Sequence, residues 1–389
     1  MVRNVDPGLM QKVRRHGRAG ALDVNACFQC GNCTAVCPLA RDSAGFPRRV
    51  IRMAQVGMEQ ELLASADLWR CYSCGECTRT CPRQADPAEF MAAARSYAIS
   101  RYDMTGLSSL LNRSVLGSIA VLAFLSAIFS GLLAYQQNLV SPDSPLFQFL
   151  PGWWIHNIGV AIFVVVGISA FTGMASMFVR YQRDQSHAGH QLRLAALPGA
   201  VVAAVSEVLM HRRFRDCDTD EPVPTSQPLH FRPWFVHASV MGGFLAMLIA
   251  TTLDFLFKPI GSPAEPWSPI RLLGAAGGIV CLYGLTVMLV RRVRSTEVPW
   301  QKSAFSDWMF PALLAATVVT GLFTEVDVYL PMGTVGHAVF FTHVVLAMDL
   351  VALLPLSKFA HAIYRPLALV LFSWSHAPVA QQASADVQA

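Results

Sequence analysis

The chain has 389 residues, of which 53% are hydrophobic and only 14% charged, with a formal net charge of +5. An ordinary soluble domain carries about 25% charged residues, so this composition excludes a wholly soluble globular protein. The arginines cluster beside apolar segments and form no single basic patch, which argues against nucleic acid as a partner.

The opening stretch, MVRNVDPGLMQKVRRHG, lacks the apolar region of a secretory signal. Two near-repeats follow, CFQCGNCTAVCP from Cys27 and CYSCGECTRTCP from Cys71, holding eight of the ten cysteines. Both read C-x2-C-x2-C-x3-C-P, the bacterial ferredoxin run for a [4Fe–4S] cluster. Three closely spaced thiolates can each reach a different iron, and the cysteine before proline ligates the other cluster. The spacing predicts one cluster on Cys27, Cys30, Cys33 and Cys81, and a second on Cys71, Cys74, Cys77 and Cys37. Zinc sites also use C-x2-C pairs, but four cysteines and a trailing proline, twice over, exceed what zinc needs. Disulfides are disfavoured because nothing directs this segment to an oxidising compartment. Between the runs, FPRRVIRMAQVGMEQELLASADLW has mostly helical apolar spacing. After them Asp86 and Pro87 suit the N-cap and first position of a further helix.

Six apolar stretches are long enough to cross a bilayer, which takes about 20 residues of helix. They run near 114–135, 155–179, 234–257, 272–290, 308–324 and 336–356, the fifth being the shortest. Linkers 180–232 and 291–307 hold seven and four Lys/Arg, whereas 136–153 and 323–335 hold none and 258–271 holds Lys258 and Arg271. The positive-inside rule then places both termini and the cysteine domain in the cytoplasm. Trp153, Trp154, Trp234, Trp300 and Trp308 fall at expected interfaces. Residues 191–213 read as a helix on the cytoplasmic membrane face or as a plain surface helix. The expected fold is all-α: a di-[4Fe–4S] domain (1–105), a six-helix transmembrane cytochrome b-like bundle (106–376) and a disordered tail (377–389).

Histidine within a bilayer is a functional hypothesis by default. His343 and His361 are separated by five whole helical turns, about 27 Å of rise. On one continuous helix they would therefore share a face, one imidazole near each membrane surface, as two stacked haems require. Pro355 lies between them and can kink a helix. The alternative is a pair of interfacial histidines bonded to neighbours. His237 starts the third span at the depth of His361, and His156 starts the second at the level of His343. No C-x-x-C-H occurs, so any haem is of the b type, held by axial ligands alone. His16, His187, His190, His211, His230 and His376 lie in polar or basic stretches and receive no metal role. Asp349, the one acid deep inside a span, pairs with a neighbouring helix or serves a proton route.

Residues 27–95, through the two cysteine runs and PRRVIRMAQVG, resemble the iron–sulfur subunit of heterodisulfide reductases. The five spans from Ile155 resemble the cytochrome b gamma subunit of respiratory nitrate reductase. That family's last helix carries two histidines with a proline and a basic residue between, matched here by His343, Pro355, Lys358 and His361. The fusion of these modules, with an extra first span, resembles the membrane subunit of the quinone-interacting membrane-bound oxidoreductase (Qmo) family. The resemblance implies an electron-transfer subunit of a quinone-dependent oxidoreductase with two [4Fe–4S] clusters and two b haems. It implies exchange of electrons between menaquinone or ubiquinone and adenylylsulfate reductase, through two flavin- and iron–sulfur-bearing soluble subunits. His237 and His361 would hold the inner haem and His343 the outer. One departure stands out: ten residues after His237, where the gamma family has a second histidine, this chain has Met247. The outer partner is therefore His156, Met247 or absent; His156 is the stronger ligand type. The alternatives in other classes are the membrane subunit of a heterodisulfide reductase-like complex, or a haem-free anchor for a ferredoxin module.

Overall fold

The computed structural model describes residues 5–17, 26–43, 45–141, 144–187, 192–219, 228–257, 265, 267–294 and 303–376. The expected tail at 377–389, Lys258 and Trp300 lie outside the described residues. Among the described residues every regular element is helical. Six helices are long and apolar enough to cross a membrane: Val115–Tyr135, Gly152–His187, Pro233–Phe257, Pro269–Arg294, Phe305–Asp327 and Thr334–Leu353.

The sequence expectation placed the fifth span at 308–324 and made it the shortest, but it has 23 residues against 20 for the sixth. The helix extends past both expected ends and takes in Asp307 and Glu325. Asp307 accepts from the Ala304 amide at 2.8 Å, capping the first turn. Glu325 takes two bonds of 2.7 Å from the Arg271 guanidinium. A second correction concerns the sixth helix, which stops at Leu353, with a short 3-10 turn at Lys358–Ala360 and a new helix at His361–Ser375. Pro355 has no amide hydrogen to donate and its ring clashes with the preceding turn. The five-turn phase between His343 and His361 therefore does not hold.

The described residues fall into two compact units. One draws on Thr105–Ala170 and Val223–Phe359. Within it Pro233–Phe257 and Pro269–Arg294 make the most extensive helix contact, and glycines set its closeness. A Cβ on Gly277 would meet Ala246 Cβ at 2.8 Å and the Gly243 carbonyl at 3.0 Å. In lipid, helix association depends on this kind of close backbone packing.

The other unit draws on Met1–Met104, Phe171–Pro222 and Ala360–Ala389. Its core joins Val50, Ile51, Leu62, Leu68 and Trp69, from the helices between the cysteine runs, to Met177, Tyr181, Tyr364 and Phe372. Trp69 and Tyr102 each pack on Tyr364 with ring centroids 5.1 Å apart. Thus the cysteine domain shares one core with the end of the second apolar helix and with the helix that follows the sixth. The helix Pro87–Tyr102 begins as the sequence predicts: Asp86 caps it, accepting from the Glu89 amide and from the Thr78 hydroxyl at 2.9 Å. Thr78 lies in the second cysteine run, so the same cap fixes that run to the domain's longest helix.

Replacing Gly277 by leucine is expected to force the two helices apart and to cost about 1–3 kcal/mol, lowering the thermal midpoint in detergent. Gly242→Leu is the control, since Gly242 is exposed and a Cβ there meets nothing within 4 Å; it should leave the midpoint unchanged.

Candidate iron–sulfur and histidine sites

The two cysteine runs adopt one backbone path twice. Gln29 and Ser73, the residues before the second cysteines, have φ of 62° and 57°; Gly31 and Gly75, just after them, have φ of 88° and 89°. Positive φ at the glycine positions is available without a steric penalty, which explains the glycine in each run. Each run then makes one helical turn, Asn32–Ala35 and Glu76–Arg79. The Gly31 and Gly75 carbonyls each accept from the threonine amide three residues on, both at 2.9 Å. The Asn32 side chain donates to the Thr80 carbonyl, joining the two turns.

The thiols interleave between runs. Burial pushes the Cys33 thiol up, and Cys27, Cys30 and Cys81 add to it electrostatically. Burial pushes Cys37 up to about 12, with Cys71 and Cys74, of the other run, contributing. Burial also raises Cys77, with Cys71, Cys74 and Cys37 the leading neighbours. Cys37 of the first run thus has Cys71, Cys74 and Cys77 of the second as neighbours, and Cys33 has Cys81. Among the described residues no three His, Cys, Asp or Glu side chains stand close enough to share one ion.

The surroundings suit a net-negative group. The Arg95 guanidinium donates to the Cys71 carbonyl at 3.1 Å and to the Ser73 hydroxyl. Arg365 donates to the carbonyls of Trp69 and Cys71 at 3.2 and 3.3 Å and lies 3.9 Å over the Tyr72 ring. Neither guanidinium meets a carboxylate among the described residues, and Arg365 Nη2 is buried with no partner. Burial lowers the affinity of Arg95 for its proton. Both arginines are half-buried, and a thiolate-ligated cluster would supply negative charge to match theirs. Sequence reading missed both arginines. The signal was modest: Arg95 interrupts an alanine-rich helix, and Arg365 follows His361 by one turn.

The runs differ in what surrounds them. Tyr72 is stacked on Phe214 at 4.8 Å and donates its hydroxyl to Glu207. Its counterpart in the first run, Phe28, is 62% exposed, and Cys30 is exposed as well.

Of the four histidines, His343 has the most defined setting. Its Nδ1 lies 3.1 Å from the Thr317 carbonyl and 3.2 Å from the Thr320 hydroxyl. A carbonyl can only accept, so Nδ1 carries the hydrogen and Nε2 keeps its lone pair, the state of an oriented metal ligand. Gly321 faces the ring; a Cβ there would stand 2.8 Å from Cε1. His156 is stacked flat on Phe255 at 4.3 Å. His237 is exposed on Pro233–Phe257, and half-buried His361 starts the helix after the sixth. These two belong to different compact units. Met247 sulfur lies 3.7 Å from where a Gly278 Cβ would be, toward Pro269–Arg294. Asp349 accepts from the Ser126 hydroxyl on Val115–Tyr135, which is the helix pairing anticipated, while its Oδ1 is buried without a partner. His337 is bonded to the Ser144 carbonyl and stacked on Phe149.

Residues 23–85 match the family of the 4Fe-4S dicluster domain. A subunit of the H(2):CoB-CoM heterodisulfide,ferredoxin reductase from Methanothermobacter marburgensis is 36% identical over 66 residues, 17% of this chain and 34% of that protein. The iron-sulfur subunit of the CoB--CoM heterodisulfide reductase of Methanopyrus kandleri is 42% identical over 48 residues, 12% of this chain and 25% of that protein. The chain thus covers about a third or less of these relatives' length. A subunit of the dihydromethanophenazine:CoB--CoM heterodisulfide reductase from Methanosarcina acetivorans is 23% identical over 272 residues, 63% of this chain and 96% of that protein. A match of that extent takes in several of the apolar helices. The chain is an iron–sulfur protein with a multi-helix membrane part, similar to subunits of heterodisulfide reductases.

Exchanging Arg365 for glutamine is expected to loosen the Trp69–Cys74 segment, since a charged hydrogen bond to a buried acceptor is worth about 1.5–3 kcal/mol. In metal-free full-length protein, alkylation of Cys71 and Cys74 should accelerate about tenfold, with Cys30 unchanged as internal reference.

Proposed function

We propose that the chain is the membrane electron-transfer subunit of a quinone-dependent oxidoreductase, joining the quinone pool through b haems and two [4Fe–4S] clusters to cytoplasmic flavin/iron–sulfur subunits. The observation that carries this reading is the shared core of the second compact unit. The cysteine runs pack with the end of one membrane-length helix and with the helix beginning at His361. Bound clusters and haems supply one-electron carriers. Cys27, Cys30, Cys33 and Cys81 would hold one cluster, and Cys71, Cys74, Cys77 and Cys37 the other. Arg95 and Arg365 hold the second loop in shape and lay positive charge beside it. His343 offers a bare Nε2 toward an outer haem with His156, and His237 with His361 would hold an inner one. The lysine and arginine asymmetry supports a multi-pass inner-membrane protein with both termini cytoplasmic.

The likeness to the Qmo family supports adenylylsulfate reductase as the soluble redox partner and sulfur metabolism as the setting. A second reading is the membrane subunit of a heterodisulfide reductase-like complex, favoured by the long match to the dihydromethanophenazine-linked enzyme.

A reduced-minus-oxidised spectrum of the purified full chain tests the proposal. Bands of b-type haem and broad iron–sulfur bleaching are expected; iron–sulfur bleaching alone would reduce the chain to a haem-free anchor. His156→Ala should remove one haem and leave the other. Unchanged haems in that variant, with a shift on Met247→Leu, would make Met247 the outer ligand. Cys81→Ser should damage the cluster held by Cys27, Cys30 and Cys33, because the fourth cysteine crosses between runs. Loss confined to the Cys71 cluster would refute that assignment.

A further inference from the structure

A cleft of about 1240 Å³ opens beside the first cysteine run, lined by Cys27, Gln29 and the guanidiniums of Arg48, Arg49 and Arg52. These arginines stand on the helix Arg48–Gln55, whose other side buries Val50, Ile51, Met53 and Ala54. All three are exposed. Arg48 reaches the Gln29 carbonyl at 3.4 Å, and Arg83 lies 6.0 Å from the ring centroid of exposed Phe28. None of these four arginines meets a carboxylate among the described residues. The domain's acids are mostly spoken for elsewhere. Asp42 pairs with Arg213 at 3.0 Å, Glu59 with Arg101 at 2.9 Å, Asp67 with Arg70 at 2.9 Å and Glu76 with Arg79 at 2.8 Å. Buried Glu61 and half-buried Asp184 also line the cleft, but the three arginines outnumber them and leave its lining with a net positive charge.

An exposed aromatic ring flanked by uncompensated arginines is the composition of a protein interface, where both residue types are enriched. Arginine is also suited to planar, two-point recognition of carboxylates. The feature occurs at one run only: Tyr72, the counterpart of Phe28, is enclosed by Arg365, Phe214 and Glu207. We propose that Phe28, Arg48, Arg49, Arg52 and Arg83 form the docking surface for a soluble redox protein that presents an acidic patch. The surface steers that partner to the exposed edge of the first run, at Cys30. One electron crosses per encounter, leaving this chain oxidised and the partner reduced by one; no bond forms and no proton moves. The inference rests on the reading that the first run holds a cluster.

The test uses the full chain in phosphatidylcholine nanodiscs, photoreduced and mixed with one of two oxidants of opposite charge, acidic plastocyanin or basic cytochrome c. Both accept one electron and report it in their own visible bands. At low salt plastocyanin should be reduced about tenfold faster or more, with the advantage shrinking as salt rises. Arg48→Glu, Arg49→Glu and Arg52→Glu together should invert the preference while leaving the iron–sulfur absorbance intact. Rates blind to partner charge, or unaltered by the triple variant, in a chain with full iron–sulfur absorbance would overturn the docking surface alone. A preference seen in detergent but abolished in phosphatidylglycerol discs would put the arginines against lipid headgroups and would also overturn it. A chain without iron–sulfur absorbance would overturn the functional reading together with this inference.

Discussion

Neither cysteine run is surrounded by its own thiols alone. Cys37 neighbours thiols of the second run and Cys81 neighbours Cys33 of the first, so bringing these thiols together needs both segments folded. Much of the rest of the domain serves that requirement. Arg48–Gln55, Glu59–Ala64 and Asp67–Arg70 bring the two runs face to face, and Asn32 bonds across the turns. Asp86 and Thr78 anchor the second run to the longest helix. Because burial pushes the Cys33, Cys37 and Cys77 thiols toward their neutral form, a cluster would displace protons there as it binds, which would couple its formation to folding.

The parts of this architecture that the sequence made legible are those fixed by short-range geometry. The spacing of eight cysteines reflects how far thiolates must reach around a cubane, and the glycines after Cys30 and Cys74 mark positions of positive φ. The six apolar stretches reflect bilayer thickness, which sets a length independent of tertiary detail. The cap at Asp86 is equally local. What stayed illegible depends on distant segments. Residues 5–104 show no sign that their core is completed by Tyr181, Tyr364 and Phe372. The equivalent residues Phe28 and Tyr72 look interchangeable on paper, yet one is exposed and the other enclosed.

Among the histidines the same boundary applies. The phase of His343 and His361 could not be judged, because it assumed an unbroken helix through Pro355. The orientation of His343 also escaped the sequence, since it is fixed by a backbone carbonyl at Thr317 and by the room beside Gly321. The fifth helix runs past both expected ends, and Asp307 and Glu325 lie within it as a cap and an ion-pair partner.

The shared core also constrains how the protein can be made. Both cysteine runs leave the ribosome early, whereas Tyr364 and Phe372 follow only after all six apolar helices. At about 5–20 residues per second that interval is on the order of a minute at the slow end. During it Trp69 and Tyr102 lack the ring that covers them, and Arg365 is not yet present to hold the Cys71 loop. Gly173, whose missing Cβ leaves space for the Tyr364 hydroxyl, is already in place and waiting for its partner. The packing that covers the second run is therefore completed only after the sixth apolar helix has been made, and a chain stalled before His361 would lack the residues that complete it.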